Sequence, residues 1–129
     1  MLLKKGSGSI TTTGSISRLF GEPALAMYAA SRAAVVNLTR SLVFDNTRLG
    51  IRVNCVCPRW VDTGFNHPQF LHDELIDADI NELIDRTVPM GCLGLPEALA
   101  PAVAFLALQV ASYTTDQTSV VDGGLLCHV

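Results

Sequence analysis

The run Ile51–Cys57, IRVNCVC, constrains the fold more than any other stretch of the chain. It is short, rich in β-branched residues and closed by Pro58, which has no N–H to continue a ladder. Directly before it lies the longest helical segment, from about Ala24 to Leu49, with Gly50 placed to stop it. A buried strand that follows a long helix is reached by a crossover, and crossovers join parallel strands. Gly8–Thr13, GSITTT, and Thr118–Val121, TSVV, have the composition of further strands, the second closed by Asp122, Gly123 and Gly124. The order is therefore strand, helix, strand, helix, helix, strand, which predicts an α/β layer fold on a parallel sheet.

The helices follow from periodicity. In the long segment Val35, Leu38, Leu42 and Leu49 form one apolar stripe and Ala33, Val36 and Val43 a second. Asn37, Ser41 and Arg48 hold the polar side. A helix apolar on two stripes is expected to be covered twice, once by the sheet and once by another surface. Ile76, Ile80, Leu83 and Ile84 predict a short amphipathic helix. Pro96 suits a first helical position, with Glu97 favoured by the helix dipole and ALAPAVAFLAL continuing the segment.

Composition excludes several classes of function. A chain of 129 residues is read as one domain, and a net charge of −3 leaves no basic footprint for nucleic acid. MLLKKGSGSI lacks the apolar core of a signal peptide, and the longest apolar run, Ala98–Leu108, is shorter than the ~18 residues a membrane span requires. The expectation is a cytoplasmic protein with no membrane partner. Cys55, Cys57, Cys92 and Cys127 contain no CxxC pair and are expected to be reduced, buried thiols. His67, His72 and His128 match no zinc spacing and are expected at the surface, with no metal site.

One constellation carries chemistry. Tyr28 and Arg32, in YAASRAAV, stand at i and i+4, so both side chains leave the same face of the helix. A phenol is a poor base at neutral pH, and a fixed cation beside it favours the phenolate. Thirteen residues before Tyr28, Ser15 follows the first strand, where its hydroxyl can bind an oxygen undergoing oxidation or reduction. The carboxyl edge of a parallel sheet is where such folds bind ligands. A serine hydrolase is excluded, because TGSIS lacks the elbow glycines of G-x-S-x-G.

Ser15, the step to Tyr28 and YAASRAAV resemble the active-site region of the classical short-chain dehydrogenases/reductases. SLVFDNTRLGIRVNCVCP is similar to that family's helix and following strand, and Pro58–Thr63, PRWVDT, to its Pro-Gly-x-x-x-Thr cofactor loop. LGLPEALAPAVAFLA resembles its penultimate helix and SYTTDQTSVVDGG its last strand and turn. The resemblance implies an NAD- or NADP-dependent oxidoreductase that interconverts a small-molecule alcohol and carbonyl. Ser15, Tyr28 and Arg32 would be catalytic. Tyr28, Arg32, Pro58 and Thr63 would contact the cofactor.

The resemblance is also incomplete. Arg32 stands where the family has a lysine, Arg59 where it has the loop glycine, and Asp116 where a glycine is common. Arginine keeps the charge but cannot release its proton, so a relay through position 32 would be cut. No Gly-rich phosphate turn occurs, Gly6 and Gly8 precede a strand instead of following one, and the family's helix asparagine is absent. The chain thus reads as the second half of a doubly wound, Rossmann-like domain, residues 1–129 forming its C-terminal, catalytic-motif part without the first βαβ cofactor-binding units. The alternative is a truncated, inactive fragment or an interaction module that associates, as a homo-oligomer for instance, through the helix from Ala24 to Leu49.

Overall fold

The computed structural model of the protein describes residues 6–66 and 73–128. His67 and His72 lie outside the described residues. Six principal elements follow in order: β1 (Gly8–Thr13), α1 (Ala26–Asn46), β2 (Ile51–Pro58), α2 (Asp77–Thr87), α3 (Pro96–Ala107) and β3 (Thr118–Val121). The strands form one parallel sheet in the order β1-β2-β3. Gly8 is paired with Ile51 and Thr13 with Val56, and across the other edge of β2 Cys55 is paired with Thr118 and Pro58 with Val121. Among the described residues β1 pairs only with β2, so its outer edge has no strand partner.

Side-chain alternation along β2 divides the two helical layers. Cys55 and Cys57 point toward Val36 of α1 and join Ile16, Trp60, Ile84, Val88 and Leu125 in the main core. Arg52 points the other way, where Nη1 donates to Leu106 O at 2.8 Å and Nη2 to Leu108 O at 3.0 Å. These bonds satisfy carbonyls at the C-terminal end of α3 and place a cation at the negative end of its dipole. Asn54, fully buried on the same side, donates to Thr114 O and accepts from Gln117 N–H, both at 3.0 Å, which fixes the loop leading into β3. In that loop Asp116 has φ +62°, the left-handed conformation that accounts for a glycine being common there.

Helix α1 begins two residues later than the sequence predicts, because Ala24 is left-handed at φ +58° and cannot start a helix. Its end follows expectation: a single 3₁₀ turn, Thr47–Leu49, closes on Gly50 at φ +78°. Its buried face does not. Val36 and Thr39 are buried, whereas Leu38 and Leu49 are about half exposed. Thr39 fits at the sheet because its hydroxyl donates to Val35 O at 2.9 Å and lies 2.7 Å from Thr12 Oγ1. Hydropathy counts a threonine as polar, although a threonine with its hydroxyl satisfied packs like a valine. The side of α1 that carries Leu38 has no cover among the described residues, and Met27 is 84% exposed.

The cysteines divide into two pairs. Cys55 and Cys57 are buried on one face of β2 with their sulfurs 3.9 Å apart, while Cys92 and Cys127 are exposed, contrary to expectation. The chain leaving β1 crosses directly over the buried pair. A Cβ on Gly14 would come within 2.9 Å of Cys57 Sγ and 3.0 Å of Cys55 Sγ, so only glycine passes there unstrained.

Candidate functional site

The carboxyl ends of β1 and β2, the first turn of α1 and the loop after β2 enclose a cavity of about 630 Å³. That volume suits a small organic ligand. Ser15, Tyr28, Arg32, Pro58 and Thr63 all line it, together with Arg59, Trp60 and Phe65. The five residues that the sequence offered as catalytic or cofactor-contacting therefore line one space, although they come from four separate segments.

Each is placed by local structure. Ser15 follows Gly14 in extended conformation (φ −160°) and caps the 3₁₀ turn Ile16–Arg18. Its Oγ accepts the Ser17 N–H at 3.2 Å and donates to Ser17 Oγ at 3.2 Å, and the side chain is almost wholly buried. Tyr28 lies in the first turn of α1, half-buried, its ring 5.8 Å from that of Phe65. One turn on, Arg32 folds back over the Tyr28 ring, 5.1 Å from its centroid, and Nη1 donates to Thr13 O at the end of β1 at 3.3 Å. The buried Nε of Arg32 has no hydrogen-bond partner among the described residues. Thr63 is exposed in the loop after β2 and its hydroxyl accepts the Phe65 N–H at 3.3 Å. That loop is held against the segment before α3 by Asp62 N–H to Gly94 O at 2.8 Å and Gly94 N–H to Trp60 O at 2.9 Å.

Arg59 does more than fill a glycine position. Its guanidinium forms a two-pronged ion pair with Glu22, Nη1 reaching Oε2 at 2.8 Å and Nη2 reaching Oε1. The same Nη1 donates to Ser17 Oγ at 3.2 Å, and Ser17 Oγ donates to Glu22 Oε2 at 2.8 Å. The guanidinium also lies over the Trp60 ring, 4.3 Å from its centroid. Burial works against the Glu22 charge, but hydrogen bonds from Arg59 and Ser17 and the charge of Arg59 prevail and hold its carboxyl below the usual 4.5. Sequence reasoning missed Glu22 and Ser17. Glu22 sits in LFGEP, legible only as a loop, and its partner is 37 positions away, a separation that carries no local signal.

No group of three or more His, Cys, Asp or Glu side chains among the described residues is disposed to hold a metal ion. No helix among them is long and apolar enough to cross a membrane.

A family model described as enoyl-(acyl carrier protein) reductase matches residues 1–126. Short-chain dehydrogenase srdC of Neurospora crassa is 40% identical over a segment covering 95% of this chain and 44% of that protein. The 3-oxoacyl-[acyl-carrier-protein] reductase FabG of Rickettsia bellii is 40% identical over 92% of this chain and 46% of that protein. Among solved structures, a gluconate 5-dehydrogenase from Burkholderia cenocepacia in complex with NADP and tartrate superposes with a TM-score of 0.88 at 31% identity, covering 99% of this chain and 48% of that one. The chain thus spans about half the length of the relatives it matches. A match running from the first strand through the last turn, with Ser15, Tyr28 and the Pro58–Thr63 segment in order around one cavity, has a single reading: the chain belongs to the short-chain dehydrogenase/reductase family.

Proposed function

We propose that this chain is the C-terminal, catalytic-motif part of an NAD(P)-dependent oxidoreductase that interconverts an alcohol and a carbonyl. The observation that carries the reading is the convergence of Ser15, Tyr28, Arg32, Pro58 and Thr63 on one cavity at the carboxyl edge of the sheet.

In this reading Ser15 binds the substrate oxygen, and Tyr28 passes its phenolic proton to a carbonyl or, as phenolate, takes the proton of an alcohol. Arg32 holds a fixed positive charge against Tyr28 and ties the tyrosine's helix to the end of β1. Because a guanidinium does not give up its proton, Tyr28 is recharged from solvent and not through position 32. The residues fit the nicotinamide end of a dinucleotide: the buried Nε of Arg32 has no hydrogen-bond partner among the described residues, and Tyr28, Pro58 and Thr63 line the same cavity as Arg32. When bound, such a cofactor supplies or removes the hydride. NADP in the Burkholderia relative supports that class of cofactor. Free thiols at Cys55, Cys57, Cys92 and Cys127 support a reducing, cytoplasmic setting. The uncovered side of α1 would serve as a contact between copies of the chain.

The test is to join this chain to the N-terminal half of srdC and assay reduction of a ketone panel with NADPH. Activity that disappears in Tyr28→Phe supports the reading. A folded fusion that binds NADPH and turns over no ketone or alcohol would sink it.

A further inference from the structure

Among the described residues the charged side chains that line the cavity are Arg32, Arg59 and Asp73, and both cations are already engaged. The guanidinium of Arg59 donates to both carboxylate oxygens of Glu22 and to Ser17 Oγ. Its Nε is buried, and its face lies over Trp60, 4.3 Å from the ring centroid. The Glu22 side chain is only 12% exposed. A carboxylate arriving from the cavity would have to displace that of Glu22 and leave it buried without its cation, which is costly. Arg32 is tied down by Thr13 O at 3.3 Å and lies over the Tyr28 ring, 5.1 Å from its centroid. Asp73 is exposed and repels an incoming anion. With Glu22 set against Arg59 and Asp73 against Arg32, the wall carries no net charge. Leu25, Trp60, Val61, Phe65, Pro96 and Leu99 make much of the remaining wall apolar.

We propose that Glu22 is a built-in counter-ion that masks Arg59, so that the site takes a neutral, apolar, ring-sized alcohol or ketone and rejects its carboxylate-bearing analogues. Rejection of this kind is specificity by an unfavourable element: the disfavoured ligand meets no free cation and loses its water. Glu22 is a positioning residue that acts through Arg59 and need not touch the substrate. Ser15 and Tyr28 keep the roles given above, and the preference applies to alcohol and ketone alike. The inference rests on the oxidoreductase reading of the cavity and deepens it by naming the substrate class.

The carboxamide and the carboxylate of 1-tetralone, both substituted at ring position six, make a pair of probes matched in shape and different in charge. Trp60, the single tryptophan of the chain, lines the cavity, so its indole N–H resonance reports binding of either. At neutral pH the 129-residue chain is expected to bind the carboxamide about tenfold more tightly than the carboxylate. Glu22→Gln leaves Arg59 a hydrogen-bond acceptor and removes the counter-charge. It is expected to move the ratio about tenfold toward the carboxylate. Asp73→Asn alters an exposed side chain, so the variant should fold, and it should move the ratio the same way by about twofold. A parent chain that binds the carboxylate as tightly as the carboxamide overturns the masking while the site stands. So does a folded Glu22→Gln variant with the parent's ratio. If that variant does not fold, the parent's ratio and the Asp73→Asn shift decide, and the absence of either counts against the proposal. If neither probe shifts the Trp60 resonance, the cavity is not a substrate site, and the oxidoreductase reading falls with the masking.

Discussion

The guanidinium of Arg32 lies against the face of the Tyr28 ring, 5.1 Å from its centroid, with one arm anchored on Thr13 O. The charge is therefore spent partly on the aromatic face and partly on a backbone carbonyl. A lysine at 32 would bring a compact ammonium that can be directed at the phenolic oxygen. In the chain joined to a nucleotide-binding half, Arg32→Lys is expected to raise kcat about tenfold, a part of the ~10²–10⁴-fold that general acid–base catalysis contributes. Tyr28→Phe should lower it by about a hundredfold or more. An Arg32→Lys variant with unaltered kcat would show that the arginine is catalytically equivalent. Arg59→Gly, which restores the family's loop residue, is expected to help less than the sequence alone implies, because it strands Glu22.

The Glu22–Arg59 pair joins the loop after β1 to the loop after β2 across the cavity wall, and it is mostly buried. Removing one partner leaves the other charge unpaired, so Arg59→Ala is expected to destabilise the fold by about 3 kcal/mol. The pH dependence follows from the depressed carboxyl of Glu22. Stability from this group is fully present above its unfolded value near 4.5 and is lost as pH falls through the lower folded value. Urea midpoints measured from pH 7 to pH 3 should therefore fall more steeply below about 4.5 in the parent than in Glu22→Gln. Parallel curves would count against this pair as an acid-sensitive tie.

Thiol reactivity should split evenly. Cys92 and Cys127 are exposed, whereas Cys55 and Cys57 have no accessible surface and lie beneath Gly14. Contact with the Cys55 sulfur, together with burial, pushes the Cys57 thiol above the usual cysteine range, which further suppresses its thiolate. Ellman's reagent is expected to titrate two thiols quickly and the other two only at the rate of unfolding. Gly14→Ala should release the buried pair, since its Cβ would collide with both sulfurs. Four equally fast thiols in the parent would contradict the packing.

The outer side of α1 makes a fourth case. Met27 is 84% exposed and Leu38 53%, and a separation of eleven positions brings both to one helical face. Apolar surface of this kind drives association. Sedimentation at micromolar concentration is expected to show a dimer or larger species, and Leu38→Glu should weaken it. A monodisperse monomer would contradict the self-association proposed for this helix.

How much of this could be read in advance depends on the range of the interaction concerned. The strands Gly8–Thr13 and Thr118–Val121 were legible because β-branched runs and turn residues are local signals. The buried line of α1 was not, since its central residue is Thr39, whose polarity is cancelled by Thr12 from another element. Tyr28 and Arg32 were legible as an i, i+4 pair, but which part of the ring the cation meets depends on Thr13 O. Arg59 was visible only as a glycine lost. Its actual partners, Glu22 and Ser17, lie in a loop whose conformation no periodicity encodes.

Dinucleotide affinity follows from the contacts this sequence can supply. In doubly wound folds much of that affinity comes from a pyrophosphate held at a glycine-rich turn and helix N-terminus, followed by a ribose contact one strand later. The sequence contains no such turn, and the chain spans about half the length of its relatives. On the proposed reading the cavity would contact only the nicotinamide end, through Tyr28, Thr63 and Arg32, with the guanidinium of Arg59 already committed to Glu22. A few partly exposed polar contacts do not offset the ~4–15 kcal/mol lost when a flexible ligand is immobilised. The isolated 129-residue chain is therefore expected to bind NADH or NADPH no tighter than about 1 mM, equivalent to about −4 kcal/mol. Joined to a nucleotide-binding half, the same residues should gain at least about a hundredfold, because the dinucleotide is then held at both ends. Fluorescence titration of each coenzyme reads the outcome directly. Saturation of the isolated chain in the low micromolar range would mean that its own residues hold the dinucleotide, and that the glycine-rich turn is dispensable here.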